Sequence, residues 1–164
     1  MSEMTARFDL PMIAPGQAQK ELYHNEALAR IDGLLHPAVE GPPQASPPSA
    51  PSPGDCFLVG AGASGTWEGQ DGTLALWTEG GWRFLPPQPG TMVWDKLSGH
   101  WRHWNGSEWR AALPAAAIEV GGVKVLGERQ PPIPSPSGGA IIDAEARACL
   151  EAVLVALKSH GLTD

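Results

Sequence analysis

Proline placement limits this chain more than any other feature. Seven of the seventeen residues from Pro37 to Pro53 are proline, and Pro131, Pro132, Pro134 and Pro136 form a second cluster. Proline has no amide hydrogen and a fixed φ, so neither stretch can run as a helix or a central strand. The chain therefore breaks into pieces: an N-terminal arm and anchoring helix at 1–36, a Pro-rich linker at 37–53, a Trp-rich β-domain at 54–113, a hairpin and second Pro-rich linker at 114–137, and a C-terminal oligomerisation helix at 138–164. A polyproline II path of about 3.1 Å per residue lets the first linker reach roughly 50 Å. It acts as a strut that holds the helix away from the β-domain, or it crosses that domain's surface. The predicted fold class is α+β, mostly β: an N-terminal helix, a small Trp-rich antiparallel β-meander and a C-terminal helix, joined by Pro-rich struts.

All seven tryptophans lie between Asp55 and Arg110. One pattern occurs twice there, Trp77-Thr-Glu-Gly-Gly-Trp82 and Trp104-Asn-Gly-Ser-Glu-Trp109, each followed by arginine. Four turn-forming residues between two tryptophans predict tight hairpins with a Trp on each arm, and such cross-strand aromatic pairs contribute roughly 0.2–1 kcal/mol. Strands are expected at Cys56–Val59, Thr73–Trp77, Trp82–Leu85, Met92–Trp94, His100–Trp104 and Trp109–Leu113. Ile118 to Val125 reads as a further hairpin turning on Gly121-Gly122.

The flanks are helical. Pro15 suits the first turn of a helix running to about Leu35, with Ala27, Leu28, Ile31, Leu34 and Leu35 as its apolar stripe and a first half that is polar all round. Residues 1–13, with Phe8, Leu10, Met12 and Ile13, form an extended arm that needs a surface to lie on. At the other end Asp143 caps a helix, Glu145 favours its first turn, and Lys158 and His160 complement its last. Gly161 is the left-handed stop, with Leu162 folding back on Leu157. The apolar residues of this helix cover so much of its circumference that bundling with copies of itself is the natural partner, and Leu150, Val153, Leu154 and Leu157 are the expected oligomer interface.

Chemistry-bearing patterns are few. A net charge of −7 with eleven scattered basic residues gives no footprint for nucleic acid. The N-terminus has neither a basic nor an apolar export region, and no apolar run is long enough to span a membrane, so synthesis in the cytoplasm without a signal peptide is expected. Cys56 and Cys149 follow no metal spacing and read as two buried, reduced thiols. The Gly60-Ala-Gly-Ala-Ser-Gly65 loop lacks the Gly-Lys-Ser/Thr ending of a phosphate loop. His24 and Glu26, two apart on a helix, point about 200° away from each other. Glu68, Asp71, Glu79, Asp95 and Glu108 fall in turns rather than as a facing carboxylate pair. No catalytic residue, metal ligand or cofactor is expected, and the chain reads as not an enzyme.

Two stretches carry a resemblance. Ala18-Gln19-Lys20 followed by His24-Asn25-Glu26-Ala27-Leu28, then a Trp-rich domain opening on Gly54-Asp55, resembles an uncharacterised-function family of phage and gene-transfer-agent structural proteins over roughly residues 9–113. The tail, from Val120-Gly-Gly-Val-Lys-Val through Asp143-Ala-Glu-Ala-Arg147 to His160-Gly161-Leu162, is similar to the terminal segment of tail-fibre-like and spike-like phage proteins. The resemblance implies a virion-surface appendage, the base or adaptor of a head spike or short tail fibre, built as a homo-oligomer (trimer or pentamer). Its partners would be other virion proteins: a capsid vertex, a spike or fibre, or a tail subunit. Phe8, Leu10, Gln17, Gln19, Lys20, His24 and Asn25 are the expected partner-docking residues. The alternative is a carbohydrate-binding module for host surface polysaccharide, using Trp94, Trp101, His103 and Trp104 as platform and polar contacts.

Overall fold

The computed structural model describes residues 4–16, 18–138 and 143–163, and the chain divides after Leu113 into two compact units. The architecture is α+β. The first unit holds helix α1 (Lys20–Leu34) and strands β1 (Ala38–Val39), β2 (Cys56–Leu58), β3 (Leu74–Thr78), β4 (Gly81–Leu85), β5 (Met92–Asp95), β6 (His100–Trp104) and β7 (Trp109–Arg110). The second holds β8 (Ile118–Val120), β9 (Val123–Leu126) and α2 (Ala144–Ser159).

The strands of the first unit form two sheets rather than one antiparallel meander. One sheet has the order β2-β3-β4, the other β1-β5-β6-β7, and β1 joins β5 in parallel. The break falls between β4 and β5, where Pro86, Pro87 and Pro89 deny the chain ladder donors. Both Trp hairpins form in the predicted register. Trp77 lies opposite Trp82 with ring centroids 4.8 Å apart, and Trp104 opposite Trp109 at 5.5 Å. Between the sheets Val39, Leu58, Leu74, Leu76, Leu85, Val93 and Trp109 make one core. The β2-β3-β4 sheet is buried on its second face too, where Phe57, Val59 and Ala75 meet Trp67, carried there by a 3-10 turn at Gly65–Trp67.

The 37–53 stretch is no strut. Trp94 N–H bonds to the Pro37 carbonyl and Lys96 N–H to that of Val39, while Glu40 and Gln44 donate to Cys56 and Leu58 of β2. Pro37 contributes a carbonyl where no N–H is required, and the proline-free pair Ala38-Val39 supplies the strand. The segment is thus the seam between the two sheets, and the helix it follows is held on the β-domain instead of away from it.

Helix α1 begins at Lys20 and not near Pro15, because Gly16, Ala18 and Gln19 all take positive φ. Its packed face also differs from the expected stripe. Ile31, Leu34 and Leu35 are exposed, while Ala29, Asp32 and Gly33 are buried. Gly33 sets the approach: a Cβ there would come within 2.6 Å of Leu85 Cδ1. Close packing of small residues on the sheet outranked the larger side chains one step around the helix.

The second unit is organised around α2. Asp143 Oδ1 accepts the Ala146 amide at 2.8 Å, Gly161 has φ 69°, and Leu162 N–H returns to the Leu157 carbonyl at 3.0 Å, so both predicted ends form. The second proline cluster does not stand free either. Gln130 N–H bonds to the Leu162 carbonyl and Thr163 Oγ1 donates to the Pro131 carbonyl beyond the helix C-terminus, while Arg147 near its N-terminus donates to the carbonyls of Pro136 and Gly138. Residues 131–138 therefore strap the helix from end to end.

Candidate functional site

The N-terminal arm is pinned by one carboxylate. Asp32, buried in α1, accepts the Thr5 hydroxyl at 2.7 Å and the amides of Arg7 and Phe8 at 3.0 and 2.8 Å. Arg7 in turn caps the end of α1, its guanidinium donating to the carbonyls of Asp32, Leu35 and His36. Asn25 clamps the arm further along, exchanging bonds of 2.9 Å with both the N–H and the carbonyl of Ile13. Between arm, α1 and the β3–β4 hairpin opens a cleft of about 890 Å³, walled by Met4, Met12, Ile13 and Leu22, with the Glu26–Arg83 ion pair (2.7 Å) on its far side. An apolar side chain or acyl group is what such walls accommodate.

This geometry sorts the expected docking residues. Lys20 and His24 are exposed on the outer side of α1, in line with the uncovered Tyr23 and Ile31. Gln19 is exposed at the helix start. Asn25 is spent on Ile13, and Leu10, whose amide donates to Thr5 Oγ1, is held inside the arm's own turn. Phe8 is exposed but lies under the Arg7 guanidinium, 5.0 Å from its ring centroid. Gln17 lies outside the described residues. The surface on which the arm lies is its own helix.

The expected glycan platform is split. In the pleat of the second sheet Trp94 pairs with Trp101 and Met92 with His103, placing all four on the outer face. Trp94 and Trp101 are 37% and 42% exposed, with ring centroids 5.3 Å apart and planes at 74°. Trp104 sits on the opposite, inner face, against the core. His103 is buried, since it lies on a central strand between Met92 and Arg110, and its Nδ1 has no partner. Two rings at an open angle remain as the exposed apolar feature. Trp104 instead lines a separate hollow of about 410 Å³ with Asp71, Ser107 and Glu108. There the Asp71 carboxylate is already engaged by the amides of Ala63 and Gly62, which hold it below its ordinary pKa of 3.8.

On α2 no residue is buried. Leu150 and Val153 are exposed, while Leu154 and Leu157 are half-buried toward the side on which Arg147 meets the strap. The predicted interface therefore divides into an exposed pair, Leu150 and Val153, and a half-buried pair, Leu154 and Leu157.

Titratable groups inside the first unit serve structure. Burial alone would raise the Asp95 carboxyl, but the Ser98 amide (2.9 Å) and the Arg102 guanidinium (2.7 Å) outweigh it and hold the group below 3.8. Cys56 is buried, and burial pushes its thiol up to about 11. Cys149, expected to be buried, is exposed on α2, and both thiols are free. Among the described residues no cluster of His, Cys, Asp or Glu could hold a metal ion, and no helix is long and apolar enough to cross a membrane. Sequence reasoning missed Asp32 and Arg7. The available signal was a lone aspartate between Ile31 and Gly33 on the second half of the helix.

Fold and surfaces together define a small two-sheet α+β domain with one docked helix, whose open features are apolar contact faces. The chain belongs to the family described as protein of unknown function (DUF2793), which matches residues 24–110, from the first turns of α1 to the end of β7. That match is narrower than the 9–113 resemblance and leaves the arm outside. No curated protein matches the chain.

Proposed function

We propose that this is a non-catalytic structural protein of a phage or gene transfer agent particle, the base or adaptor of a head spike or short tail fibre that helps host attachment. One observation carries the self-assembling part of the reading: α2 is capped at both ends yet buries none of its sixteen residues, leaving Leu150 and Val153 in water. A regular helix with such a face gains stability when copies cover it. The particle setting rests on the sequence resemblance of the Ala18–Lys20 and His24–Leu28 segments and of the tail. Light scattering and native mass spectrometry test the proposal. At low micromolar concentration the parent should run as a trimer or pentamer of the 17.3 kDa chain, and Leu150→Asp should run as single copies. A parent that is monomeric with full helix content sinks it.

A second reading is favoured by the exposed Trp94–Trp101 pair, which could stack a sugar ring of host polysaccharide. Isothermal titration with capsular oligosaccharides decides it: Trp101→Ala should abolish a heat that Trp82→Phe leaves intact.

A further inference from the structure

The cleft between the arm, α1 and the β3–β4 hairpin lies within the first unit, and its charges are unevenly matched. Glu21, Glu26, Asp32 and Glu79 line it, and Arg83 is the one cationic residue among its described lining. Arg83 is held by Glu26 at 2.7 Å, and the Asp32 carboxylate is filled by the arm. Glu21 is different. Its Oε1 takes the Gly16 amide at 3.3 Å, whereas its Oε2 is buried and accepts no hydrogen bond. A carboxylate oxygen stripped of water is costly to leave without a donor. The side chain as a whole is only half-buried, and the terminal torsion of a glutamate has a broad minimum, so a small rotation presents that oxygen to a cation entering the cleft.

We infer that the cleft is a docking site for an extended peptide segment of a partner protein, one that carries lysine or arginine between apolar residues. Each part of that ligand has its counterpart in the wall. The basic head meets Glu21, and its apolar neighbours lie on Met12, Ile13 and Leu22, the last of which is 64% exposed. The same acidic lining repels an acyl chain that ends in a carboxylate. β4, whose Arg83 lines the cleft, is an edge strand of the β2-β3-β4 sheet, and an extended backbone is the ligand shape that can add to such an edge. Docking here does not depend on α2, so it is separable from self-assembly.

Selection by the full chain from a positional-scanning library of acetylated, amidated hexapeptides tests this. The selected pool should place lysine or arginine at one position with Leu, Ile, Val or Met on its flanks. The tightest sequence is then titrated by fluorescence anisotropy. Glu21→Gln, which keeps an acceptor for Gly16, should weaken that peptide about tenfold, while Tyr23→Ala, at an 80% exposed position, should leave its affinity unchanged. Amide resonances give a readout that needs no variant to fold: the peptide should shift Leu22, Asn25 and Gly80 of the parent and leave Trp101 and Val123 in place. A library that yields no binder, a pool without the basic preference, shifts confined to other residues, or equal affinity for Glu21→Gln overturns the site. A monomeric parent that binds the peptide leaves the site standing and sinks only the assembly.

Discussion

Asp32 and Asp95 are the two fully buried carboxylates of the first unit among the described residues; Asp32 ties the arm to α1 where no backbone ladder reaches, while Asp95 braces the β5–β6 hairpin from within. Asp32 gathers three donors from residues more than twenty positions away. Removing it leaves the Thr5 hydroxyl and two amides without acceptors, so Asp32→Ala should cost about 3 kcal/mol in urea unfolding. Amide exchange of residues 4–13 should accelerate at the same time, and an unchanged arm would show that Arg7 alone holds it. Asp95 makes a pH prediction. Its folded pKa lies below the ordinary 3.8, so its ionised form stabilises the fold above that value and the stabilisation drains away as pH falls below it. Asp95→Asn should be less stable at pH 7, and its stability should fall less between pH 4 and 2 than the parent's, as followed by tryptophan fluorescence during acid titration. Parallel curves for the two proteins would contradict this assignment.

At the scale of elements, α1 shows what packing does to a pattern. Gly33→Ala would gain helix propensity worth roughly 0.5–1 kcal/mol, but its methyl would press on Leu85 and Leu76, where overpacking costs about 1–3 kcal/mol. The variant should therefore be destabilised by about 1 kcal/mol, and a raised melting temperature would show that the helix shifts without strain. The same contact explains why the helix face was illegible in the sequence. Ile31, Leu34 and Leu35 have the period of a core stripe, and only the presence of Leu85 and Leu76 beneath Gly33 reverses the choice. What could be read was local. The Trp77–Trp82 and Trp104–Trp109 hairpins follow from four residues of turn chemistry, and the ends of α2 follow from Asp143, Gly161 and Leu162. What could not be read was pairing at long separation: nothing around Ala38-Val39 announces a parallel partner at Trp94-Asp95. The contact faces divided in the same way. Trp94 and Trp101 share the outer face of the sheet while Trp104 lies on the inner one, a division set by strand register that residue type alone does not announce.

For the molecule as a whole, every apolar core residue of the first unit lies between Ala29 and Trp109. Residues 1–113 made alone should thus fold cooperatively, with a sigmoidal melt by near-ultraviolet circular dichroism. A gradual melt would mean that the remaining residues are needed for its core. The parallel seam has a consequence for synthesis. Ala38 pairs with Trp94, so it leaves the ribosome 56 residues (94 − 38) ahead of its partner. At roughly 5–20 residues per second it waits about 3–11 s, with the arm and α1 also lacking the strands they rest on. During that interval the prolines flanking Ala38-Val39 leave it few donors with which to join a wrong edge, so the residues that look least structured guard the nascent chain until its last strands emerge.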